Sequence, residues 1–302
     1  MRRLLAIANP AAGGDAPALA AEAAEVAATA GGWEVGLVLS ETRGHAVLLA
    51  EEAAATGVDL VLAIGGDGTV REVAAGLAGS EVALGIVPAG TGHSSYMELF
   101  GDADWRETLS AGLATPGSRQ VDLLRVEPTG ELSLLGFSVG WFAQVVELAR
   151  DDTESEVEGR ARYATAAQRA AAAPRSFAAE VELDGEPFAS GDLGLAAVGG
   201  ARRRGGVFPI FPESRMDDGL LELMTVRACT PEEFSDLLGM VIQGRQAESP
   251  LVRTGRGRQV RIRSGMPLPV EIDGDLWERD IGGCEVEVAP AALRVMSARR
   301  AG

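Results

Sequence analysis

Leu60-Val61-Leu62-Ala63-Ile64-Gly65-Gly66-Asp67-Gly68-Thr69 is the stretch that decides the fold. Leu60–Ile64 is an apolar, strand-like run, and from Thr69 to Ala78 the pattern is helical, with Val70, Val73, Ala74 and Leu77 on one face at i, i+3, i+4 and i+7. The glycine turn between them leaves backbone N–H groups free at the positive end of a helix dipole, where an anion is favoured. Its glycines let the chain approach a phosphate closely. A plain strand-to-helix turn that needs positive φ accounts for one or two glycines, but not for Asp67. A carboxylate beside a polyphosphate is repulsive unless a divalent cation or a transferable proton lies between them, so Asp67 implies Mg²⁺ or a base.

Outward from this stretch the same alternation repeats. Leu4–Ala8, Glu34–Leu39 and Val82–Val87 read as strands, and Pro17–Ala30, Gly44–Thr56 and Ser94–Phe100 as helices. A βαβ series predicts a parallel sheet flanked by helices. Two further loops follow strands in this region, Asn9-Pro10-Ala11-Ala12-Gly13-Gly14 and Val87-Pro88-Ala89-Gly90-Thr91-Gly92. Carboxyl ends of parallel strands are where such folds bind ligands.

Around Pro116-Gly117 strands begin to follow one another: Val121–Val126, Ser133–Val139, Phe177–Leu183, Leu193–Val198, Leu220–Val226, Val260–Arg263, Leu268–Ile272 and Glu285–Val288. Asp184-Gly185 reads as a hairpin turn. One helix stands out, opened by the capping box Thr230-Pro231-Glu232-Glu233 and running through Phe234–Gln246. The acidic run Asp151–Glu156 reads as a solvated loop or helix start. The expected architecture is α/β: a Rossmann-like parallel-sheet domain over residues 1–117, to which a last strand in 290–302 returns, and an antiparallel, β-sandwich-like domain over 118–289.

Composition narrows the chemistry. The 302 residues carry 27 Lys+Arg against 44 Asp+Glu, a formal net charge of −17, which argues against nonspecific nucleic-acid binding. Every basic residue is arginine, so a Walker-type phosphate loop, a kinase strand lysine and a lysine Schiff base are all excluded. His45 and His93 are the two histidines, Cys229 and Cys284 the two cysteines; no zinc spacing exists and a disulfide framework is not expected, which points to a reducing, cytosolic compartment. Met1-Arg2-Arg3 before Leu4–Ala8 is too short for a signal sequence. No stretch reaches the ~20 apolar residues of a membrane span, so contact with a membrane would be peripheral.

In this order, the loops resemble the diacylglycerol kinase catalytic family, the bacterial lipid kinases related to sphingosine kinases and NAD kinases. The Asn-Pro and glycine loop is matched by Asn9–Gly14, the Gly-Gly-Asp-Gly-Thr loop by Gly65–Thr69 extended through Glu72, and the Pro-x-Gly-Thr loop by Pro88–Thr91. The Asp-Gly-Leu strand start is matched by Asp218-Gly219-Leu220, and the late Asp-Gly-Glu element by Asp273-Gly274-Asp275. The resemblance implies an ATP- and Mg²⁺-dependent kinase that phosphorylates a lipid hydroxyl such as that of diacylglycerol, with nucleotide in a cleft between two domains. It implies that Asn9, Thr42, Gly65, Gly66, Asp67, Gly68, Thr69, Glu72, Gly90 and Thr91 line the nucleotide. Arg215, Asp218 and Leu220 would hold a structural Mg²⁺, partly through backbone carbonyls. Asp273 would be the proton acceptor, with Asp275 in place of the usual Glu, and Asp67 would meet the catalytic metal and phosphates. The implied partner is a lipid at a membrane surface, met by a cytoplasmic, peripherally associated protein; a homodimer is left open.

The chain departs from the pattern at Gly92-His93-Ser94-Ser95-Tyr96, where the family continues with Gly-Asn-Asp-Phe, and at Asp275. These departures keep two alternatives in view: a catalytically impaired nucleotide- or lipid-binding protein of the same fold, and an NAD kinase. Gly92-His93-Ser94 also has the start of a nucleophile elbow, but Tyr96 stands where the closing glycine belongs and no His follows Ser94. His45 reads as a helix-start residue. Asp273-Gly274 taken alone reads equally well as a turn between strands. Arg253, Arg256, Arg258, Arg261 and Arg263, with Arg202-Arg203-Arg204, read first as solvated faces and second as an anchor for anionic headgroups. Leu135, Phe137, Trp141, Phe142 and Phe208 are candidates for a lipid pocket, or plain core.

Overall fold

The computed structural model describes residues 1–90, 92–151, 159–205, 208–277 and 281–298. Its strands and helices form two compact units, Met1–Asp122 with the chain from Pro290 onward, and Leu123–Ala289.

The first unit is the βαβ series. Strands β1 (Arg2–Ala8), β2 (Trp33–Leu39), β3 (Leu60–Gly65) and β4 (Ala83–Pro88) alternate with helices α1 (Ala16–Ala30), α2 (His45–Thr56) and α3 (Asp67–Leu77), followed by α4 (Ser94–Phe100) and α5 (Trp105–Ala114). The strands are parallel in the order β2-β1-β3-β4, and the end of β15 (Ile281–Ala298) joins parallel to β4 through Arg294 and Val295. Strand β3 is buried at every position, as expected of a parallel strand covered on both faces. Connections reverse direction at β1, so right-handed crossovers send α1 and α2 to opposite faces. Helix α2 lies close on α3: a Cβ on Gly76 would stand 2.4 Å from the Val47 carbonyl oxygen. The small residues Ala46, Ala50 and Ala53 form the buried face of α2.

The second unit takes the end of β5 (Pro116–Glu127), then β6 (Glu131–Ser133), β7 (Gly136–Gly140), α6 (Trp141–Asp151), α7 (Gly159–Ala172), β8 (Phe177–Leu183) and β9 (Glu186–Gly199). It closes with β10 (Leu221–Arg227), α8 (Pro231–Ile242), β11 (Val252–Gly257), β12 (Gln259–Leu268), β13 (Val270–Ile272), β14 (Asp275–Leu276) and the start of β15. Strand β9 belongs to two layers. Its first half pairs with β8, which continues to β12 and β15, and its second half pairs with β7 and β10. All these pairs are antiparallel.

Alternation along the shared strands builds two cores. Ala196, Val198, Leu221 and Leu223 face the sandwich interior with Phe137, Val181 and Ile262. Leu195, Ala197, Met224 and Val226 face the other way, onto Trp141, Val145, Phe234 and Leu237 of α6 and α8. The sheet thus has no solvent face here. The sequence reading finds α8 alone in this unit. It misses α6 because Trp141–Asp151 continues the apolar run of β7 without a break, and it misses α7 and, in the first unit, α5. Two predicted strands are interrupted: Ser133–Val139 by a turn at Leu134-Leu135, and Leu268–Ile272 at Pro269, whose missing N–H cannot extend a ladder. Helix α8 ends at Ile242, before Gly244 in a left-handed conformation.

Candidate active site

In the first unit the strand order places four loops along one edge of the sheet. Asn9 follows β1, Thr42 follows β2, Gly66 and Asp67 follow β3, and Gly90 follows β4. The strand order reverses at β1, the switch point where such sheets bind ligands. Asn9 spans that point. Its Nδ2 donates to Thr69 Oγ1 at 3.1 Å, and its Oδ1 accepts from the Ala11 N–H at 2.9 Å. The loops after β3 and β4 touch: Ala89 N donates to the Gly65 carbonyl at 2.9 Å, and a Cβ on Gly90 would fall 2.6 Å from Gly66 Cα. A Cβ on Gly14 would lie 2.8 Å from the Ala89 carbonyl oxygen. Glycine is demanded at these positions by backbone lying on backbone, which brings all three glycine loops into one surface of main-chain groups.

Two carboxylates tie this surface together. Glu72 of α3 accepts from the N–H groups of Gly44 and Ala46 at 2.8 and 3.2 Å, capping α2, which has no side-chain cap of its own. That bond holds the turn bearing Thr42, an exposed residue whose carbonyl accepts from His45 N. Asp67 accepts from Ser95 N at 2.8 Å and Ser94 N at 3.2 Å, and so holds the first turn of α4. The residues that replace the family's usual Asp-Phe are both buried, and their amides are what Asp67 uses. His93 precedes them at φ 53, a left-handed conformation in which Asn and His are enriched among non-glycine residues. Thr91 lies outside the described residues, as do positions 152–156 of the acidic run. His45 Nδ1 accepts from Glu41 N at 3.1 Å, the helix-start role its position implies.

In the second unit the predicted residues fall at two places. Asp218 precedes β10: Oδ1 accepts from Leu220 N at 3.2 Å, and Oδ2 pairs with Arg256 Nη2 at 2.5 Å. Arg256 also reaches Glu222 at 2.7 Å, and burial pushes the Glu222 carboxyl up against the pull of that guanidinium. Arg215 turns to Asp217 at 3.1 Å. A carboxylate with neighbouring backbone carbonyls is an all-oxygen donor set that suits Mg²⁺, although Arg256 competes for Asp218. Among the described residues no three His, Cys, Asp or Glu side chains converge, so backbone carbonyls and water would supply most of such a shell.

The other place is the β13–β14 hairpin, where Asp273 and Gly274 form the turn with φ of 52 and 94. Asp273 is buried and accepts four hydrogen bonds. Ser133 Oγ, Leu135 N and Gly136 N donate to Oδ1 at 2.6, 2.9 and 2.8 Å, and Leu134 N donates to Oδ2 at 2.8 Å. These donors are the turn between β6 and β7. The Asp273 carboxylate is therefore committed to shaping the backbone, while Asp275, half-buried, leaves the turn in β14.

Sequence reasoning passes over the group beside this turn. Glu271 is 2 % exposed and pairs with Arg204, itself 5 % exposed. The signal available was a lone carboxylate inside the apolar run Val270-Glu271-Ile272. Arg204 is thus no part of a basic surface. Arg256, Arg261 and Arg263 are each matched by acidic partners, the last two through Glu182 and Glu285, as a solvated sheet face requires. Of the lipid-pocket candidates, Phe137 is sandwich core, while Trp141, Phe142 and Phe208 line a cavity of about 20 Å³ with Phe234 and Leu237. That is room for a water, not an acyl chain. Cys284 is held up at about 12 by burial, which removes it as a nucleophile near neutral pH.

Comparison with known proteins finds two family models in succession along the chain. Residues 3–126 match the diacylglycerol kinase catalytic domain, and residues 137–297 match the YegS C-terminal NAD kinase beta sandwich-like domain. A protein of Mycobacterium tuberculosis named diacylglycerol kinase is 28% identical over 98% of this chain and 96% of its own length. One of Pseudomonas aeruginosa, named "Probable lipid kinase YegS-like", is 30% identical over 90% of this chain and 88% of its own. Among solved structures, a diacylglycerol kinase from Bacillus anthracis superposes with a TM-score of 0.74 at 20% identity, covering 98% of this chain and 96% of that one. Yeast NADH kinase complexed with NADH superposes at 0.52 with 11% identity, covering 99% and 84%.

Proposed function

Since the chain belongs to the family of diacylglycerol kinases and YegS-like lipid kinases, we propose that it transfers the γ-phosphate of ATP, with Mg²⁺, to a lipid hydroxyl such as that of diacylglycerol. The observation that carries this reading is the surface of packed main chain formed by the loops at Asn9–Gly14, Gly65–Thr69 and Ala89–Gly90. Phosphoryl transfer passes through a loose transition state, so positioning and charge stabilisation outweigh strong-base chemistry. A chain without lysine can meet that demand with backbone N–H groups, a helix N-terminus and arginine.

In this reading Asn9, Thr42, Gly65 to Thr69, Glu72, Gly90 and Thr91 bind and orient the nucleotide. Glu72 acts by fixing the turn that carries Thr42. Asp67 faces the phosphates and keeps α4 in place. Bound Mg²⁺ would neutralise phosphate charge, held beside Asp67, and a structural ion would rest on Asp218 with the carbonyls of Arg215 and Leu220. Asp275 accepts the proton of the attacking hydroxyl, and Asp273 holds the backbone that presents it. The lipid is met at a membrane surface by a peripheral protein; among the described residues no helix is long and apolar enough to cross one.

NAD phosphorylation is the second reading, favoured by the NAD kinase-like match of the sandwich. The test is transfer of labelled γ-phosphate from ATP to a mixed lipid extract and, separately, to NAD. Labelled lipid, lost in Asp67→Asn, is the expected result. Label in NAD alone would replace the lipid reading. ATP binding without transfer to either acceptor would replace it with a noncatalytic one.

A further inference from the structure

Arg204 and Glu271 form an ion pair with side-chain exposures of 5% and 3%. Nη2 of Arg204 reaches both carboxylate oxygens, the nearer contact being to Oε2 and the other, to Oε1, at 2.5 Å. Burying such a pair is costly, and apolar residues of similar volume often serve stability equally well or better. Its contacts indicate another use. Glu271 Oε2 also accepts from Ser138 Oγ at 2.6 Å, and Oε1 accepts a short bond from the N–H of Gly274. Gly274 precedes Asp275. The arginine is itself located by paired backbone bonds with Phe208 at 2.9 and 3.1 Å and by the ring of Phe142, 6.0 Å from its guanidinium carbon.

In a two-residue turn with positive φ at both positions, the second N–H is not part of the hairpin ladder. Here Glu271 takes it. The bond fixes the plane of the peptide entering Gly274, and the next residue is the carboxylate that the proposed function makes the proton acceptor. Asp275 is one methylene shorter than the family's Glu, so its reach depends more heavily on where the backbone points. A displacement of ~1 Å at such a group can cost about a hundredfold in rate. We infer that Glu271, seated by Arg204 and Ser138, is a positioning residue for Asp275: its side-chain acceptor aims the β13–β14 turn. This inference rests on the lipid kinase reading.

Two double variants of the full chain separate positioning from stability. Arg204→Met with Glu271→Gln removes both charges and keeps an acceptor for the Gly274 N–H. Arg204→Met with Glu271→Met removes both charges and the acceptor. With phosphate transfer to the lipid extract as the readout, the first should keep kcat within about fivefold of wild type and the second should lose about a hundredfold, with KM for ATP within twofold in both. Hydrogen exchange in the unaltered protein needs no variant to fold: the Gly274 amide should be at least ~100-fold better protected than the amide of exposed Gly185. Equal exchange at the two glycines would overturn the inference, as would a folded Met/Met variant retaining kcat within threefold of an active wild type. A wild type that phosphorylates no lipid would overturn the kinase reading and this role with it.

Discussion

Two hairpins of the second unit turn on the same dipeptide. Asp184 and Gly185 have φ of 52 and 82, and Asp273 and Gly274 have φ of 52 and 94. Each aspartate accepts backbone N–H groups from a distant strand or loop. Asp184 does so at the surface, from Arg258 and Gln259 at 2.8 and 2.9 Å, where water can replace what is lost. Asp273 does so when buried, from three amides and a hydroxyl. The following residues complete the contrast: the exposed hairpin continues to Glu186 and spells the family's Asp-Gly-Glu string, yet it is the imperfect Asp-Gly-Asp string that sits in the buried network. A motif is therefore located by its surroundings as well as by its letters.

The largest effect that could break this comparison is on stability. Asp273→Ala strands three buried N–H groups and the Ser133 hydroxyl, at about 1–3 kcal/mol for each group left unpaired; urea unfolding should show a loss of roughly 4 kcal/mol or more. Asp184→Ala should lose about 1 kcal/mol, because its donors reach water. Equal losses would mean that burial does not distinguish the two turns. Next in size is activity. Asp275→Asn should lower kcat about a hundredfold, the low end of what general-base groups contribute, and Glu186→Gln less than twofold; a loss on Glu186→Gln instead would move the proton acceptor to the exposed hairpin. Smallest is the backbone. A Cβ on Gly274 or on Gly185 meets nothing within 4 Å, so alanine at either should cost only left-handed strain, about 1–2 kcal/mol. Unequal thermal shifts for the two would show that the turns differ in backbone as well as setting.

Much of the fold was legible because its signals are local. The ends of α1 to α4 and of β1 to β4 lie within two residues of those read from apolar periodicity and glycine placement. The capping box at Thr230 is present, with Thr230 Oγ1 accepting from Glu233 N and Glu233 accepting from Thr230 N. Helices α6 and α7 were not legible. The apolar residues of α6 follow β7 directly, and the distinction between a buried strand and a buried helix rests on which layer receives them. Of the candidate site, the loop glycines could be named from sequence, since the close approach of backbone to backbone excludes a side chain. The partners of Asp67 and Asp273 could not, because each pairing joins chain segments far apart in number.

By itself the sequence determined the parallel series, the strand-rich second half, the glycine loops at strand ends and the Asp184-Gly185 turn. Periodicity and backbone conformation are properties of a few neighbouring residues, and they survive being read one window at a time. The tertiary structure alone decided what the Asp67, Asp273 and Glu271 carboxylates hold. It set Asp67 on the amides of Ser94 and Ser95, closed Asp273 over the Ser133–Gly136 turn, and drew Arg204 out of an apparent basic cluster to Glu271. A hydrogen bond is assigned by the group that packing brings within reach, and its worth by whether water can reach it too.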